Sequence, residues 1–218
     1  MKTPPPSPRS EVRRKANRGH YDRAQIHAII DAAFLCHIAF NDAGSTHCLP
    51  TACWRDDDFL YIHGANNSRL THALLTGECA VCISHLDGLV LARSAFHHSM
   101  NYRSVVIYGR FGAVDEVAAK AAAMHAFLEH VSPGRNRHVR PANAAELAGT
   151  RILRLPLNEA AAKIRNWGVE DSPEDMAIPV WAGVIPLSLR PGQPEPEAGC
   201  ADHPLPELAN ALRLKDSP

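Results

Sequence analysis

The chain has 218 residues, 45% of them apolar and 21% charged, which suits one large domain and leaves wholesale disorder and a membrane bundle without support. Lysine and arginine (23) balance aspartate and glutamate (23), so the global positive field of a dedicated nucleic-acid binder is missing. No apolar run nears the roughly 20 residues that cross a bilayer, and the basic, proline-bearing start has no leader-like apolar stretch, so a cytoplasmic protein with no membrane and no nucleic-acid partner is expected.

Residues 1–20, with Pro4, Pro5, Pro6 and Pro8 followed by Arg13, Arg14, Lys15 and Arg18, read as a solvated, flexible basic arm. Asp22 then caps a helix with Ile26, Ile29, Ile30 and Ala33 on one face. The alternation of Phe34 to Phe40, the turn Asn41-Asp42-Ala43-Gly44 and the run His47 to Trp54 predict a hairpin. A turn at Asp56 to Asp58 leads to a strand over Phe59 to His63, and Ser68 caps a helix carrying Leu70 and Leu74 that Gly77 closes. Strands are expected at Cys79 to Ser84, at Leu89 to Ala95 and at Arg103 to Val114, the first two joined by a tight turn at His85-Leu86-Asp87-Gly88. Asp115 opens an alanine-rich helix to about Val131 with Val117, Ala121, Met124, Leu128 and Val131 on one face, and Thr150 to Leu157 is a further strand. Hairpins with interspersed helices predict a mainly β, antiparallel barrel with peripheral helices over residues 21–187. Residues 188–218 read as a proline-rich tail, where only Leu205 to Leu214 has the pattern of a short amphipathic helix.

Chemistry-bearing patterns are few. Around Asn67, Ser68 and Arg69, free amides at a helix start join a hydroxyl, a carboxamide and a guanidinium, a set that suits phosphate; an ordinary capped helix start explains the same residues. The run Phe96-His97-His98-Ser99-Met100-Asn101-Tyr102-Arg103-Ser104 is polar beside an apolar strand, which reads either as a ligand or subunit contact or as a satisfied loop. His97 and His98 are adjacent and point apart in extended chain, so no metal site is expected there despite 13 histidines. Cys79 and Cys82 have the CxxC spacing but lie in strand sequence, where they face opposite ways; with Cys36, Cys48, Cys53 and Cys200 they are expected as free thiols. Lys163 and Arg165, two apart, share one side of an extended segment and read either as anion ligands or as a charged strand edge. Zinc-protease, dinucleotide-fold, P-loop and nucleophile-elbow motifs are absent from the sequence.

Three segments carry a family resemblance: Tyr61-Ile62-His63-Gly64 leading to Ser68-Arg69-Leu70, the run Leu89 to Val106 with its string His97 to Val106, and Val180-Trp181-Ala182-Gly183-Val184-Ile185-Pro186-Leu187. Together they resemble the FMN-binding split-barrel superfamily, in its pyridoxamine 5'-phosphate oxidase-related branch that includes nitroimidazole-resistance-like proteins. The resemblance implies a six-stranded antiparallel split β-barrel, a homodimer, and FMN seated in clefts built by both subunits. It places Thr51, Ala52 and Cys53 along the isoalloxazine ring, His63 beside the flavin, and Asn67, Ser68 and Arg69 at the phosphate. Arg103 and Ser104 would add a contact from the dimer interface, and Lys163 and Arg165 match the late basic segment.

The longer basic set and the C-terminal arginine ending of true pyridoxamine phosphate oxidases do not occur, which argues against that substrate. The expectation is an FMN-dependent oxidoreductase acting on an unidentified small molecule, with no essential acid or base assigned. His63, His98 and Tyr102 are the side chains to test as proton donors. A non-catalytic flavin- or haem-binding module is the alternative.

Overall fold

Local sequence sets most of the order of elements in the computed structural model, which describes residues 3–207. After a two-residue strand, β1 (Gly19–His20), helix α1 (Arg23–Asp31) starts where the Asp22 carboxylate accepts the Gln25 N–H at 2.9 Å, and it buries Ile26, Ile29 and Ile30. β2 (Leu35–Asp42) and β3 (Ser45–Ala52) form the expected hairpin. Its two turn residues, Ala43 and Gly44, both take positive φ (48° and 81°), the conformation a two-residue hairpin turn demands and glycine adopts freely. Then come β4 (Trp54–Asp56), β5 (Phe59–Ala65), α2 (Arg69–Thr76), β6 (Cys79–Leu91), β7 (Ser99–Gly109), β8 (Gly112–Val114), α3 (Val117–Val131), α4 (Ala144–Gly149), β9 (Thr150–Pro156), β10 (Ala160–Arg165) and β11 (Gly183–Pro186).

Every strand pairing is antiparallel, as the hairpin pattern predicts. One sheet of seven strands runs β1-β10-β7-β6-β2-β3 with β11 added on β6, and a second of four runs β4-β5-β9-β8. Cys36, Ile38 and Phe40 of β2, Val81 and Ile83 of β6, and Val105 and Ile107 of β7 meet Leu60, Ile62, Leu153 and Leu155 of the smaller sheet in one core, closed by α1. No helix among the described residues is long and apolar enough to cross a membrane.

Four expectations differ from what is observed, each for a non-local reason. First, residues 85–88 are no turn: β6 runs unbroken from Cys79 to Leu91 with a bulge between Leu86 and Gly88. β7 pairs along its whole length, β11 joins its last residues, and the Leu187 N–H donates to the Asp87 carbonyl at 3.0 Å. A Cβ on Gly88 would come within 3.1 Å of the Ile185 carbonyl, so the glycine serves this close approach. Second, the strand expected over Arg103 to Val114 splits at Gly109 (φ 151°), and its last residues cross into the smaller sheet as β8.

Third, α3 is capped by Glu116, which accepts the N–H groups of Ala118 and Ala119, and it turns Ala123, Met124, Ala126 and Phe127 onto Trp54 while Val117 and Val131 stay exposed. An alanine-rich helix has no strong apolar stripe, so the neighbour decides which side is buried. Fourth, the basic N-terminal segment lies on the body of the molecule. Ser10 is buried, Tyr21 Oη accepts the Val12 N–H at 2.8 Å, and Arg9 donates to Glu159 and Glu78 at 2.7 Å. Hydrogen bonds from Arg9 and Ser7 pull the Glu159 carboxyl down to about 2. At the other end, residues 205–207 carry no regular structure, and the rest of the helix expected over 205–214 lies outside the described residues.

Candidate functional site

The residues expected at a ligand fall into two groups, one at the gap between the sheets and one on β7 and β10. The first begins with β3, an edge strand of the larger sheet, so one side of its backbone at Thr51 and Ala52 has no ladder partner. β3 lies against β5 of the smaller sheet. Cys53 follows at the end of this run, its N–H donating to the Phe34 carbonyl at 3.1 Å. Its side chain is fully buried against Cys36, where their mutual contact and burial push the Cys36 thiol up, so it belongs to the core.

β5 leads into the turn Asn66-Asn67-Ser68 and the start of α2. The Ser68 N–H reaches the Ala65 carbonyl at 3.1 Å, Asn66 Nδ2 donates to the Ala148 carbonyl at 2.6 Å, and the Thr71 hydroxyl donates to the Ser68 carbonyl at 2.9 Å. These bonds fix the turn from its flanks and leave its tip free. The Ser68 hydroxyl makes no capping bond, so the first N–H groups of α2 point outward without a side-chain acceptor. Asn67 is exposed, and Arg69 is mostly exposed with Asp42, 3.7 Å away, as its one ionic neighbour among the described residues. Such a helix start attracts an anion through its amides and its dipole.

His63 stands on β5, three residues before this turn, half-buried. Its ring packs against Trp54 (5.7 Å between centroids) and edge-on to Phe127 (5.0 Å). Burial alone pushes its pKa below the ordinary imidazole value, so the ring is neutral at pH 7. Its Nδ1 is buried without a partner, as is the indole nitrogen of Trp54. The aromatic wall of Trp54 and Phe127 escaped sequence reading because Phe127 comes from α3, whose orientation only packing decides.

The second group sits elsewhere in the chain. β7 is separated from β3 by β6 and β2, about 14 Å at ordinary strand spacing. Here protein partners take up several donors. Arg103 is paired bidentately with Asp87, both bonds 2.9 Å, and the Ser104 hydroxyl donates to the Lys163 carbonyl at 3.3 Å. Arg165 is 2% exposed; its Nη1 donates to Asn101 Oδ1 (2.5 Å) and the Trp167 carbonyl (2.7 Å), its Nη2 to the Gly168 carbonyl (2.7 Å). Lys163, in register with Ser104 and Gly19, is half-buried, and among the described residues its ammonium has no hydrogen-bond or ion-pair partner. Of the other side chains singled out as donors, His98 is exposed with Nδ1 on the Ser94 carbonyl (2.9 Å), and Tyr102 lies opposite Arg165 on β7. Neither shares an element or sheet with His63.

Cys79 is buried and Cys82 exposed, the opposed orientation expected of strand residues three apart. Among the described residues no group of three or more histidine, cysteine, aspartate or glutamate side chains is placed to hold a metal ion.

The family model described as pyridoxamine 5'-phosphate oxidase matches residues 22–164. Among solved structures, the flavocytochrome Anf3 from Azotobacter vinelandii is 37% identical, with a TM-score of 0.87 over 93% of this chain and 95% of that one. A protein from Mycobacterium smegmatis described as FAD- and haem-binding is 32% identical, with a TM-score of 0.82 over 87% of this chain and 94% of that one. A putative 5-nitroimidazole antibiotic resistance protein from Bacteroides thetaiotaomicron shares the fold at 18% identity, TM-score 0.57, over 67% of this chain and 86% of that one. No curated protein matches the chain.

Proposed function

The chain belongs to the pyridoxamine 5'-phosphate oxidase family of split-barrel proteins, and from that premise we propose that it binds a flavin nucleotide together with haem and works as a cytoplasmic redox protein on a small molecule. The observation that carries the reading is the uncapped start of α2. Its outward amides, the unbonded Ser68 hydroxyl, Asn67 and the exposed Arg69 form a cradle that fits the nucleotide's phosphate. The partnerless Nδ1 of His63 and the free backbone edge at Thr51 and Ala52 fit the polar groups of a flavin ring. FMN and FAD share that ring and first phosphate, so the cradle serves either; the Mycobacterium neighbour's FAD favours FAD over the FMN expected from the motifs. Haem enters because the Azotobacter and Mycobacterium neighbours, 37% and 32% identical, are described as a flavocytochrome and as an FAD- and haem-binding protein.

A bound flavin supplies hydride and one-electron chemistry. The chain's own contribution is to orient the phosphate, to pack an aromatic wall behind His63, and to keep that imidazole neutral as a hydrogen-bond partner. The cleft is completed by a second copy in this reading. Exposed Leu35 (58%) and Leu86 (49%) support an apolar contact face on the outside of the larger sheet, and a partner protomer's β7 side would bring Arg103 and Ser104 toward the first group.

An absorption spectrum of the purified protein tests the assignment. Two visible flavin bands with quenched fluorescence, plus a Soret band after haem is supplied, are expected, and chromatography of the released flavin separates FAD from FMN. A colourless protein that ignores FMN, FAD and haem overturns it. Sedimentation of wild type and Leu35→Arg tests the dimer: wild type should sediment as two copies and the variant as one, with flavin lost in parallel.

A further inference from the structure

Trp167 follows β10 and is flanked by two guanidinium groups, Arg165 at 4.8 Å and Arg18 at 5.0 Å from the indole centroid. Two cations on one ring repel each other, and burial with Arg18 beside it holds the Arg165 guanidinium below the ordinary arginine value. Buried cations are normally paired with a carboxylate. Here, among the described residues, neither makes an ion pair; Glu170 attracts Arg165 from beyond ion-pair distance.

Three N–H donors of this cluster are buried and unpartnered: Nε of Arg18, Nε of Arg165 and Nε1 of Trp167. All are donors, so they cannot satisfy one another, and a lone buried donor is destabilising. Lys163 stands two residues before Arg165 on the same side of β10, in register with Gly19, and among the described residues its ammonium has no partner. Arg18, Lys163 and Trp167 are each only half-buried, so the cluster reaches the surface. The neighbouring Arg165 guanidinium is immobilised by Asn101 and two backbone carbonyls, a preorganised cation with one donor left over.

We propose that Arg18, Lys163, Arg165 and Trp167 form a binding site for a phosphate-class oxyanion, closed from one side by the N-terminal segment. A dianion answers what the cluster lacks: acceptors for three donors and negative charge for three cations. This site is separate from the cradle at α2 and does not depend on the flavin assignment. It also gives the N-terminal segment a role, since Gly19 and His20 pair with Lys163 and Ala162 and so carry Arg18 to Trp167.

The test is titration of the full-length protein with inorganic phosphate, against sodium chloride at matched ionic strength, read by thermal midpoint and by calorimetry. Phosphate should raise the midpoint in a saturable way that chloride does not reproduce. Arg18→Gln and Lys163→Gln, which leave the Arg165 hydrogen bonds intact, should each weaken phosphate binding about tenfold, and Trp167→Phe, which keeps the ring and removes the N–H, should weaken it less. Identical responses to phosphate and chloride, or a wild-type response in Arg18→Gln and Lys163→Gln, overturn the proposal. Two sources of the phosphate group are separated in the flavin-loaded protein. Release of flavin into the filtrate as phosphate is added, equal in wild type and Arg18→Gln, places the phosphate in the α2 cradle and overturns the proposal; retention with phosphate bound assigns the cluster to a second, free ligand. A protein that holds flavin and ignores phosphate overturns this inference while leaving the flavin reading in place.

Discussion

Arg103 and Arg165 stand on neighbouring antiparallel strands, one register step apart, and are held in opposite ways. Arg103 meets the Asp87 carboxylate in a two-bond fork at the sheet end, with both partners about a third exposed. Arg165 is almost wholly buried and receives only neutral oxygens, from Asn101 and the carbonyls of Trp167 and Gly168. Strand position thus says little about what a cation does. A guanidinium with a carboxylate is electrically complete and serves the scaffold, whereas one with neutral acceptors still lacks a counter-charge.

The sharpest way to break that contrast is to truncate each arginine. Arg165→Ala strands the Asn101 oxygen and two carbonyls, and should lower unfolding stability by about 3 kcal/mol in urea titration. Arg103→Ala removes a half-exposed pair and should cost about 1 kcal/mol. Equal losses would show that burial of Arg165 has no energetic weight. A second contrast sets both arginines against Arg69, whose side chain is mostly exposed and lightly paired. Arg69→Ala should leave the urea midpoint unchanged and weaken flavin binding about tenfold, measured by fluorescence quenching; a stability loss with unchanged flavin affinity would move Arg69 to the scaffold side.

Smaller effects sharpen the picture at the core's edge. Asp22→Ala removes the one side-chain cap of α1 and should cost about 1 kcal/mol by urea titration. His63 provides a pH test with a definite sign. Burial lowers its folded pKa, so above the ordinary imidazole value of about 6.5 the ring is neutral folded and unfolded, and it contributes no pH dependence. Below that value the unfolded chain takes up the proton first, and stability falls until the lower folded pKa is reached. His27 shifts in the same direction, so His63→Gln should retain part of the acid slope and lose the rest; an unchanged slope in urea midpoints between neutral pH and about pH 5 would refute the burial account.

Sequence by itself determined the elements whose signals are local. The Asp22 cap, the Ala43-Gly44 turn, the alternation of Cys36, Ile38 and Phe40, and the turn before α2 each depend on residues a few positions apart, so hydrogen bonding and backbone sterics decide them within the segment. The helix start at Asn67, Ser68 and Arg69 was legible for the same reason. Tertiary structure decided whatever needed a distant partner. The tight-turn residues Asp87 and Gly88 became a bulge because β7 and β11 claimed their backbone, and α3 turned its Phe127 side inward because Trp54 waited there. The Cys53 side chain joined the core through contact with Cys36. The basic N-terminal segment, solvated by its composition, was drawn onto the sheet by pairing with Lys163 and by the carboxylates of Glu78 and Glu159. Such partners lie tens of residues away along the chain, and no spacing within a segment encodes them; only closing the sheet brings Arg18 to the ring of Trp167 that Arg165 already faces.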